Sequence, residues 1–348
     1  MRTLASIQLI KEIKDIPNSD NLQVATVLGW HCVIQKDTHK KNDLICFFEI
    51  DSFLPIRPEF EFLRARCYKK MDHGDGFRLR TIRLRKQVSQ GLIMPLSIIP
   101  DGLAYTEVEG YDLTEALGVI KYERPIPATM KGTVKGGFPS FMLKSDETRI
   151  QVLQNALTRY AGTKCYYTEK LDGTSFTAYI RDEEFGVCNR NLELKDTEEN
   201  LYWTMARELK IEEKLRALNK NVMVQGEIVG TGVQKNPLKI PGRKVCFFNA
   251  FDIDAYKYFN YTEFIDLMGE LDLETVPMLS NDFKLIDDID ELVELSKGAS
   301  VINPDVKREG IVIRPLKEGV DLELARGFSN GRVSFKAINP EYLLESDA

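Results

Sequence analysis

The stretch that decides the fold is residues 166–176, Tyr166-Tyr167-Thr168-Glu169-Lys170-Leu171-Asp172-Gly173-Thr174-Ser175-Phe176. At its centre, Lys170 to Gly173 form a Lys-x-Asp-Gly tetrapeptide. Alone, this tetrapeptide is a weak signal, because its residues are common and often form the turn that ends a strand. Its meaning depends on the charged residues that follow it along the chain.

Charged residues at the ends of predicted strands follow the tetrapeptide. Glu227 lies inside an apolar run, Glu309 stands directly before another, and Lys336 lies within a third. The segment 247–253 places aromatic residues beside an aspartate. Each charge taken singly is more often a solvated or edge residue. Charged groups at strand ends in this order are, however, what a nucleotide pocket lined by strands requires, so we expect them to share one cavity.

The composition is that of a soluble globular protein. A chain of 348 residues predicts about two domains. No apolar run approaches the roughly 20 residues that cross a bilayer, and the N-terminus lacks a signal-peptide core. We therefore expect a cytoplasmic monomer with no membrane partner. The six cysteines have no close pair at metal or redox spacing, which favours reduced, buried thiols. Three histidines are too few to favour a histidine metal site.

The formal net charge of −6 argues against a protein that coats nucleic acid indiscriminately. One segment is nevertheless strongly basic. Residues 64–86 contain nine lysines and arginines but only two acidic residues, Asp72 and Asp75. Two interpretations stay open, a solvated charged strand or a face that contacts phosphates. The candidate phosphate contacts are Arg78, Arg80, Arg83, Arg85 and Lys86.

Residues 1 to about 100 have an all-β pattern. Short apolar runs separated by turn-like pieces predict strands at 22–27, 31–34, 44–49, 77–84 and 91–95. About five strands in this length suit a small closed barrel of the OB type. Residues 101–140 are expected to be a connector with one short helix at 112–117.

From about residue 145 the pattern mixes helices and strands. Apolar periodicity predicts helices at 147–160, 197–219, 262–268 and 288–296, a hairpin-like pair of strands at 165–190, and strands at 222–229, 245–252, 310–314 and 332–338. The predicted fold class is α+β, with an OB-type β-barrel and connector over residues 1–130. An α+β nucleotidyltransferase domain built on antiparallel sheets follows over residues 131–348.

The motif order resembles that of the covalent nucleotidyltransferases, a superfamily of DNA ligases, RNA ligases and mRNA capping enzymes. The Lys170 tetrapeptide, Asn189-Arg190, Gly226-Glu227-Ile228-Val229-Gly230, the segment 247–253, Glu309-Gly310-Ile311-Val312-Ile313-Arg314 and Ser334-Phe335-Lys336 are similar to motifs I, Ia, III, IIIa, IV and V. DNA ligases and capping enzymes typically place an OB domain after motif V, whereas here the barrel comes first. Segments 16–20, 49–55 and 82–91 resemble the N-terminal OB domain of the Naegleria/Deinococcus-type RNA ligases.

This resemblance implies an ATP-dependent RNA ligase that acts in RNA repair. Lys170 would become adenylylated by ATP, the adenylate would pass to a 5′-phosphate RNA end, and a 3′-hydroxyl would then attack to seal a nick in duplex RNA. An ordinary lysine has a pKa of about 10.4, so Lys170 must lose its proton through burial, nearby cations or a bound metal. The implied cofactors are ATP and Mg²⁺ or Mn²⁺.

The resemblance also assigns residue roles. Asp172, Glu227 and Glu309 would hold the metal, through its waters if needed, and Glu227 also belongs to the ATP site. Lys336, the second catalytic residue, would contact the α-phosphate. Arg190 would engage the ribose and phosphates, Glu169 the adenine amino group, and Arg149, on the first helix, the β- and γ-phosphates. Phe251 is the first choice for stacking on adenine and Phe248 the alternative. The basic residues of segment 64–86 would bind RNA.

One departure and two alternatives remain. Many RNA ligases have two lysines in motif V, whereas the first position here is Ser334, and Arg326 or Arg332 could serve instead. A DNA ligase or a GTP-using capping enzyme is the nearest alternative, and the nucleotide that labels the protein separates them. A non-catalytic OB-type RNA-binding protein is the other, which loss of labelling in Lys170→Met would exclude.

Overall fold

The computed structural model describes residues 3–17, 19–71, 74–122, 133–327 and 331–346, without the side chains of residues 325–327. The chain divides into two compact units, Met1–Ile126 with Leu343–Ala348 and Pro127–Tyr342. The predicted boundary between residues 130 and 131 falls outside the described residues and stays a prediction. Among the described helices, none combines the length and apolar composition that a membrane span needs.

The first unit contains two main antiparallel sheets and a small hairpin. Its elements are β1 (Ala5–Asp15), β2 (Leu22–Val27), β3 (Trp30–Gln35), β4 (Leu44–Phe48), β5 (Ser52–Pro55), α1 (Arg64–Cys67), β6 (Tyr68–Met71), β7 (Gly74–Arg78), β8 (Ile82–Leu84), β9 (Gln87–Ser89), β10 (Leu92–Met94) and β11 (Ile120–Lys121). The sheet orders are β10-β4-β1-β2-β3 and β11-β5-β7-β6, with β8 and β9 forming the hairpin. Apolar side chains from both sheets share one core, as the OB-type prediction requires.

Strand β1 bends this unit into a barrel-like form. Its first half pairs with β4 and its second half with β2, and the register shifts between Ile10 and Glu12. Such a bulge bends a strand and increases its twist. The predicted strand 77–84 was wrong in extent, because β7 ends at Arg78 and β8 begins at Ile82. The predicted helix 112–117 was also wrong, since these residues form a bridge and turns.

The second unit carries two larger sheets. Its strands are β12 (Val134–Gly137), β13 (Thr148–Arg149), β14 (Lys164–Lys170), β15 (Thr174–Arg181), β16 (Glu184–Cys188), β17 (Leu192–Leu194), β18 (Val222–Gly230), β19 (Arg243–Asp252), β20 (Lys257–Tyr258), β21 (Met278–Lys284), β22 (Gly310–Pro315) and β23 (Phe335–Ile338). The sheet orders are β12-β17-β16-β15-β18-β19-β20 and β13-β23-β22-β14-β21. Only β13 and β23 pair in parallel among the described strands, so the predicted α+β class with antiparallel sheets is confirmed.

The helices of this unit pack apolar faces on the sheets. They are α2 (Gln154–Tyr160), α3 (Leu201–Glu208), α4 (Ile211–Ala217), α5 (Tyr261–Glu270), α6 (Ile289–Leu295), α7 (Leu322–Gly327) and α8 (Pro340–Ser346). The single helix predicted at 197–219 is two helices, because Lys210 between them has a φ of 52° and breaks the helical path. The helix predicted at 147–160 begins only at Gln154, after β13 and a 3₁₀ turn.

The predicted hairpin at 165–190 is divided between the two sheets. Strand β14 belongs to the five-stranded sheet, and β15 and β16 form a hairpin in the seven-stranded one. The chain therefore crosses from one sheet to the other between Lys170 and Thr174, at the Lys-x-Asp-Gly tetrapeptide. The six cysteines are buried and free, as their spacing predicts.

Candidate functional site

A cavity of about 260 Å³ lies where the two sheets of the second unit meet. Of the predicted site residues, six line it: Glu169, Lys170, Arg190, Glu227, Phe248 and Lys336. They come from β14, β18, β19, β23 and the residues after β16, so chain segments far apart in sequence converge on one space. Lys170, Glu227 and Lys336 thus share one cavity, as expected, whereas Glu309 and Asp172 are not among the described side chains that line it. The roles of all these residues stay predictions.

The tetrapeptide places Lys170 at the edge of this cavity. Lys170 ends β14, where it pairs with Gly310 of β22. Three residues later the chain passes close to β18, and a Cβ on Gly173 would lie 2.1 Å from the carbonyl oxygen of Ile228. Only glycine avoids this clash, which explains its place in the motif. The Gly173 amide in turn donates to Glu227 Oε1 at 3.2 Å.

The Lys170 amine is held by carboxylates. Its Nζ lies 2.7 Å from both Oε1 and Oε2 of Glu309. Burial disfavours the charged amine, but the negative charges of Glu309, Glu227 and Asp172 outweigh burial and raise the pKa of Lys170. In this arrangement Lys170 is an ammonium rather than a nucleophile.

The carboxylates around Lys170, those of Glu227, Glu309 and Asp172, differ in their surroundings. Burial and the neighbouring charges of Glu309 and Asp172 raise the pKa of Glu227 to about 8, and burial also raises the pKa of Glu309. Asp172 Oδ2 accepts a 2.6 Å hydrogen bond from the Tyr342 hydroxyl of α8. The sequence did not single out Tyr342, because nothing local links it to Asp172.

These carboxylates do not form a ready set of direct metal ligands. Within the described parts of the chain, no three histidine, cysteine, aspartate or glutamate side chains are grouped so as to hold an ion. Each of the three carboxylates has a protein partner in this arrangement. The predicted role of Asp172, Glu227 and Glu309 in holding the metal, through its waters if needed, stays a prediction. All three still act electrostatically on one amine. This donor set suits a hydrated divalent cation held through its waters.

Cations from several elements also line the cavity. Lys336 on β23 pairs with Val312, which pairs with Thr168 of β14, so the three form a row across the sheet. Burial, with help from the nearby charges of Arg149 and Lys170, lowers the pKa of Lys336 to about 8, although Asp146 opposes the change. Asp146 lies 3.4 Å from Lys336 Nζ and 3.1 Å from Arg190 Nη2.

Arg149 lies beside Lys336 but not on a helix. It belongs to β13 and pairs in parallel register with Lys336, so its predicted helical position was wrong. Its side chain is not among those that line the cavity in the described part of the chain. Its electrostatic effect on Lys336 nevertheless places it next to the cationic side of the site.

The aromatic residue of the cavity is Phe248, not Phe251. Phe251 has 0% exposure and packs among Tyr258, Met223 and other core residues, so its predicted stacking role was wrong. In the β18–β19 pairing, Gln225 faces Asn249 and Gly226 faces Phe247, which leaves Phe248 as the extra residue of a bulge. A bulge re-aims a side chain, and here Phe248 lines the cavity.

Glu169 contributes a buried acceptor to the same cavity. Its side chain is 1% exposed, and Oε2 accepts a 2.7 Å hydrogen bond from the Val301 amide. Among the described residues, no donor reaches Oε1. A buried carboxylate oxygen without a protein donor indicates a place for a donor from a ligand.

Arg314 is a site residue that the sequence did not single out. It is 2% exposed yet lines the cavity. Its guanidinium donates to Glu147 Oε1 at 2.6 Å, to the Phe248 carbonyl at 3.0 Å and to Ser334 Oγ at 3.0 Å. In the sequence, the only indication that Arg314 belongs to the site was its position at the end of the motif that begins at Glu309.

Ser334 stands where many RNA ligases have the first lysine of motif V, and the structure brings another cation to this place. Ser334 Oγ accepts a hydrogen bond from Arg314, whose positive charge therefore lies in this part of the cavity. Arg332 instead pairs with Glu318, donates to Asn249 and stacks on Tyr258 at 3.7 Å. The side chain of Arg326 lies outside the described residues.

The predicted RNA contacts lie in the first unit and differ among themselves. Arg78 lies 3.8 Å from Asp51 and stacks over Tyr122 at 4.4 Å, and Arg80 is half-buried. Arg83, Arg85 and Lys86 are exposed on the β8–β9 hairpin. Their contact with RNA stays a prediction.

An OB-type unit, an antiparallel two-sheet domain and a partly buried lysine among carboxylates together indicate a covalent nucleotidyltransferase. Two sequence families match the chain, an OB-fold domain over residues 4–96 and RNA ligase over residues 163–338. No curated protein matches it. The chain belongs to the RNA ligase family.

Solved structures of Naegleria gruberi RNA ligase are similar to the chain over its whole length. A mutant in the apo form has 35% identity and a TM-score of 0.88, with 100% of both chains covered. A mutant with AMP and Mn has 36% identity and a TM-score of 0.88, again with 100% of both covered. A mutant with ATP and Mn has 35% identity and a TM-score of 0.86, covering 99% of this chain and 100% of that one.

Proposed function

We propose that this RNA ligase uses ATP to join 3′-hydroxyl and 5′-phosphate ends of RNA at nicks in duplexes, with release of AMP. The observation that carries the proposal is Lys170, a partly buried amine that lines the cavity and is surrounded by carboxylates, with Lys336, Arg190 and Arg314 lining the same cavity. The Naegleria gruberi structures with ATP or AMP and Mn support the choice of nucleotide and metal.

In the first step, the deprotonated Nζ of Lys170 attacks the α-phosphorus of ATP. A P–N bond forms, the bond between the α-phosphorus and the bridging oxygen breaks, and pyrophosphate leaves with that electron pair, while the nitrogen loses one of its two hydrogens to solvent as a proton. Lys336, Arg190 and Arg314 line the same cavity and stabilise the negative charge of the phosphates. When bound, a divalent cation would add positive charge near Asp172, Glu227 and Glu309, held through its waters.

In the later steps, Lys170 returns to its starting state. An oxygen of the RNA 5′-phosphate attacks the adenylate phosphorus, the P–N bond breaks, and the amine recovers a proton. The RNA 3′-hydroxyl then attacks the activated 5′-phosphorus, loses its proton, and AMP leaves. Each step exchanges one bond to phosphorus for another, so orientation and charge are what the protein must supply.

Glu169 favours adenine over guanine, and Phe248 can stack on either base. Glu169 Oε1 is an acceptor without a described protein donor, which suits the exocyclic amino group of adenine. Guanine presents a carbonyl oxygen at that position, which would face a buried carboxylate oxygen and be disfavoured. Phe248 supplies a ring on which either base could stack, worth on the order of 1 kcal/mol beyond burial.

Intact-mass measurement tests the first step. The protein is incubated with Mn²⁺ and either ATP or GTP, and peptide mapping locates any adduct. We expect a gain of one AMP on Lys170 with ATP, little labelling with GTP, and none in Lys170→Met. Labelling by GTP in preference to ATP would support a capping enzyme and contradict the proposal.

A sealing assay tests the substrate. Matched nicked duplexes with RNA or DNA strands, each with a 5′-phosphate and a 3′-hydroxyl at the nick, are incubated with the adenylylated protein. We expect sealed product and free AMP with the RNA nick, because 2′-hydroxyl contacts distinguish RNA from DNA. Equal sealing of the all-DNA duplex would refute the assignment to RNA.

A further inference from the structure

The β8–β9 hairpin carries an unusual turn. Leu84 of β8 pairs with Gln87 of β9, so Arg85 and Lys86 form a two-residue loop. Both have positive φ, 48° and 68°, as a type I′ turn requires. Such turns strongly prefer asparagine, aspartate and glycine, because side chains with more bulk disfavour the left-handed region. Arg85 and Lys86 therefore adopt a left-handed backbone conformation that their long side chains disfavour.

The same hairpin is firmly anchored at its base. The Gln90 amide donates to the His31 carbonyl at 2.7 Å, and the Val33 amide donates to Ser89 Oγ at 2.9 Å. Gln90 Nε2 also donates to Thr81 Oγ1 at 3.1 Å, across the base of the hairpin. These hydrogen bonds attach the β8–β9 hairpin to β3 and to Thr81. The rest of the OB-type unit therefore sets the position of the charged tip.

The charges at the tip are not neutralised by any residue that the structure describes. Arg83, Arg85 and Lys86 are exposed, and no described side chain forms a hydrogen bond or an ion pair with them. By contrast, Arg57, Arg64 and Arg78 of the same unit each face a carboxylate. No acidic residue occurs in the sequence between Asp75 and Asp101. A compact positive tip thus projects from a chain of net charge −6.

We propose that the β8–β9 hairpin tip, Arg83 with Arg85 and Lys86, binds the phosphate backbone of the RNA substrate. This inference rests on the proposed function, which supplies a polyanionic duplex as the substrate. Three flexible cationic side chains on an anchored hairpin can reach the phosphates that a duplex presents at regular intervals. Such contacts do not depend on the base sequence. Arg78 is excluded from this contact, because Asp51 and Tyr122 already engage it.

A pair of variants separates the charge of the tip from the shape of its turn. R85N/K86G removes both charges and installs favoured turn residues, whereas R85Q/K86Q removes the charges but keeps unfavoured ones. Affinity for a nicked RNA duplex is measured by fluorescence anisotropy between about 50 and 200 mM salt. In both variants we expect binding weaker on the order of tenfold at the lower salt, and a salt slope shallower by about 2. Only R85N/K86G should melt at a higher temperature than its parent.

The chain offers a matched control. Asp182 and Glu183 form the two-residue turn between β15 and β16, with φ values of 49° and 67°. The D182N/E183G variant makes the same kind of substitution in a turn of the same type. The residues that it replaces are acidic, whereas those at the hairpin tip are basic. We expect a similar gain in melting temperature, with RNA affinity within twofold of the parent and an unchanged salt slope.

Adenylylation without RNA separates failure of this inference from failure of the proposed function. All variants should still form the Lys170 adduct with ATP at the parent rate. An unmodified parent protein would overturn the proposed function itself. If the adduct forms and both hairpin variants bind the nicked RNA as the parent does, the hairpin assignment is overturned. Weaker binding by R85N/K86G alone would mean that turn shape rather than charge is recognised, and would overturn it too.

Discussion

Replacing Glu147 by glutamine should leave the Arg314 charge uncompensated beside the cavity. Glu147 Oε1 accepts from Arg314 Nη2 at 2.6 Å, and the side chains are 12% and 2% exposed. Burial alone would raise the pKa of Glu147, but the charges of Arg314 and Arg332, the hydrogen bond from Arg314 and the charge of Lys336 lower it to about 2. Glutamine keeps the shape and one acceptor oxygen but not the charge.

The magnitude follows from that pKa. The ordinary value is 4.5 and the folded value about 2, and at about 1.36 kcal/mol per pKa unit the difference corresponds to roughly 3 kcal/mol. This agrees with the roughly 3–5 kcal/mol lost when one partner of a buried ion pair is removed. We therefore expect the free energy of unfolding of the second unit to fall by about 3 kcal/mol at pH 7 in Glu147→Gln.

The pH dependence has a definite sign. Because the folded pKa lies below that of the unfolded chain, the contribution is complete above about pH 4.5 and is lost as the pH falls toward 2. The parent and the variant should therefore converge on acidification. At about pH 3.5 the difference in free energy should have narrowed to roughly 2 kcal/mol.

Urea unfolding measures this difference in the relevant unit. The chain has two tryptophans, Trp30 in the first unit and Trp203 in the second, so a Trp30→Phe background reports on the second unit alone. The double variant E147Q/R314M is the control, since removing both charges should recover part of the loss. A loss below about 1 kcal/mol at pH 7, or one that is constant across pH, would refute the reasoning.

Two further predictions concern the site and the aromatic core beside it. Tyr342→Phe removes the 2.6 Å hydrogen bond to Asp172 and should slow Lys170 adenylylation on the order of tenfold with the melting temperature almost unchanged; an unchanged rate would contradict a positioning role for Tyr342. Phe248→Ala should raise the KM for ATP severalfold, whereas Phe251→Ala should cost about 3–5 kcal/mol of stability and leave the KM alone; the opposite pattern in steady-state kinetics and melting would restore Phe251 as the stacking residue.

Segments with a strong local pattern could be predicted from the sequence. The bounds of β2 are the predicted 22–27, and those of β18 and β22 differ from prediction by one residue. Apolar residues predominate in these strands, which gives them a strong local signal. Strand β1, the longest of the first unit, was not predicted, because its second half is polar and faces outward. Local composition there does not reveal the pairing with β2.

Other features depend on distant partners. Residues 147–160 have helical spacing, yet Thr148 and Arg149 pair with Phe335 and Lys336, so a tertiary contact overrides local propensity. The choice between Phe248 and Phe251 depends on a bulge whose register is set by β18. Arg314 could not be recognised either, because its carboxylate partner lies 167 positions earlier in the chain.

In the proposed reaction, the charges of the cavity explain why Lys170 would need ATP and a metal ion before it could attack. The carboxylates around Lys170 raise the pKa of its amine, and burial lowers the pKa of Lys336, which lines the same cavity, to about 8. A positive charge placed among the same carboxylates would lower the pKa of Lys170, and phosphates beside Lys336 would raise the pKa of Lys336. A bound nucleotide and metal ion would therefore shift both pKa values in the directions that the proposed reaction requires. Without them, the 2.7 Å ion pair with Glu309 keeps Lys170 protonated.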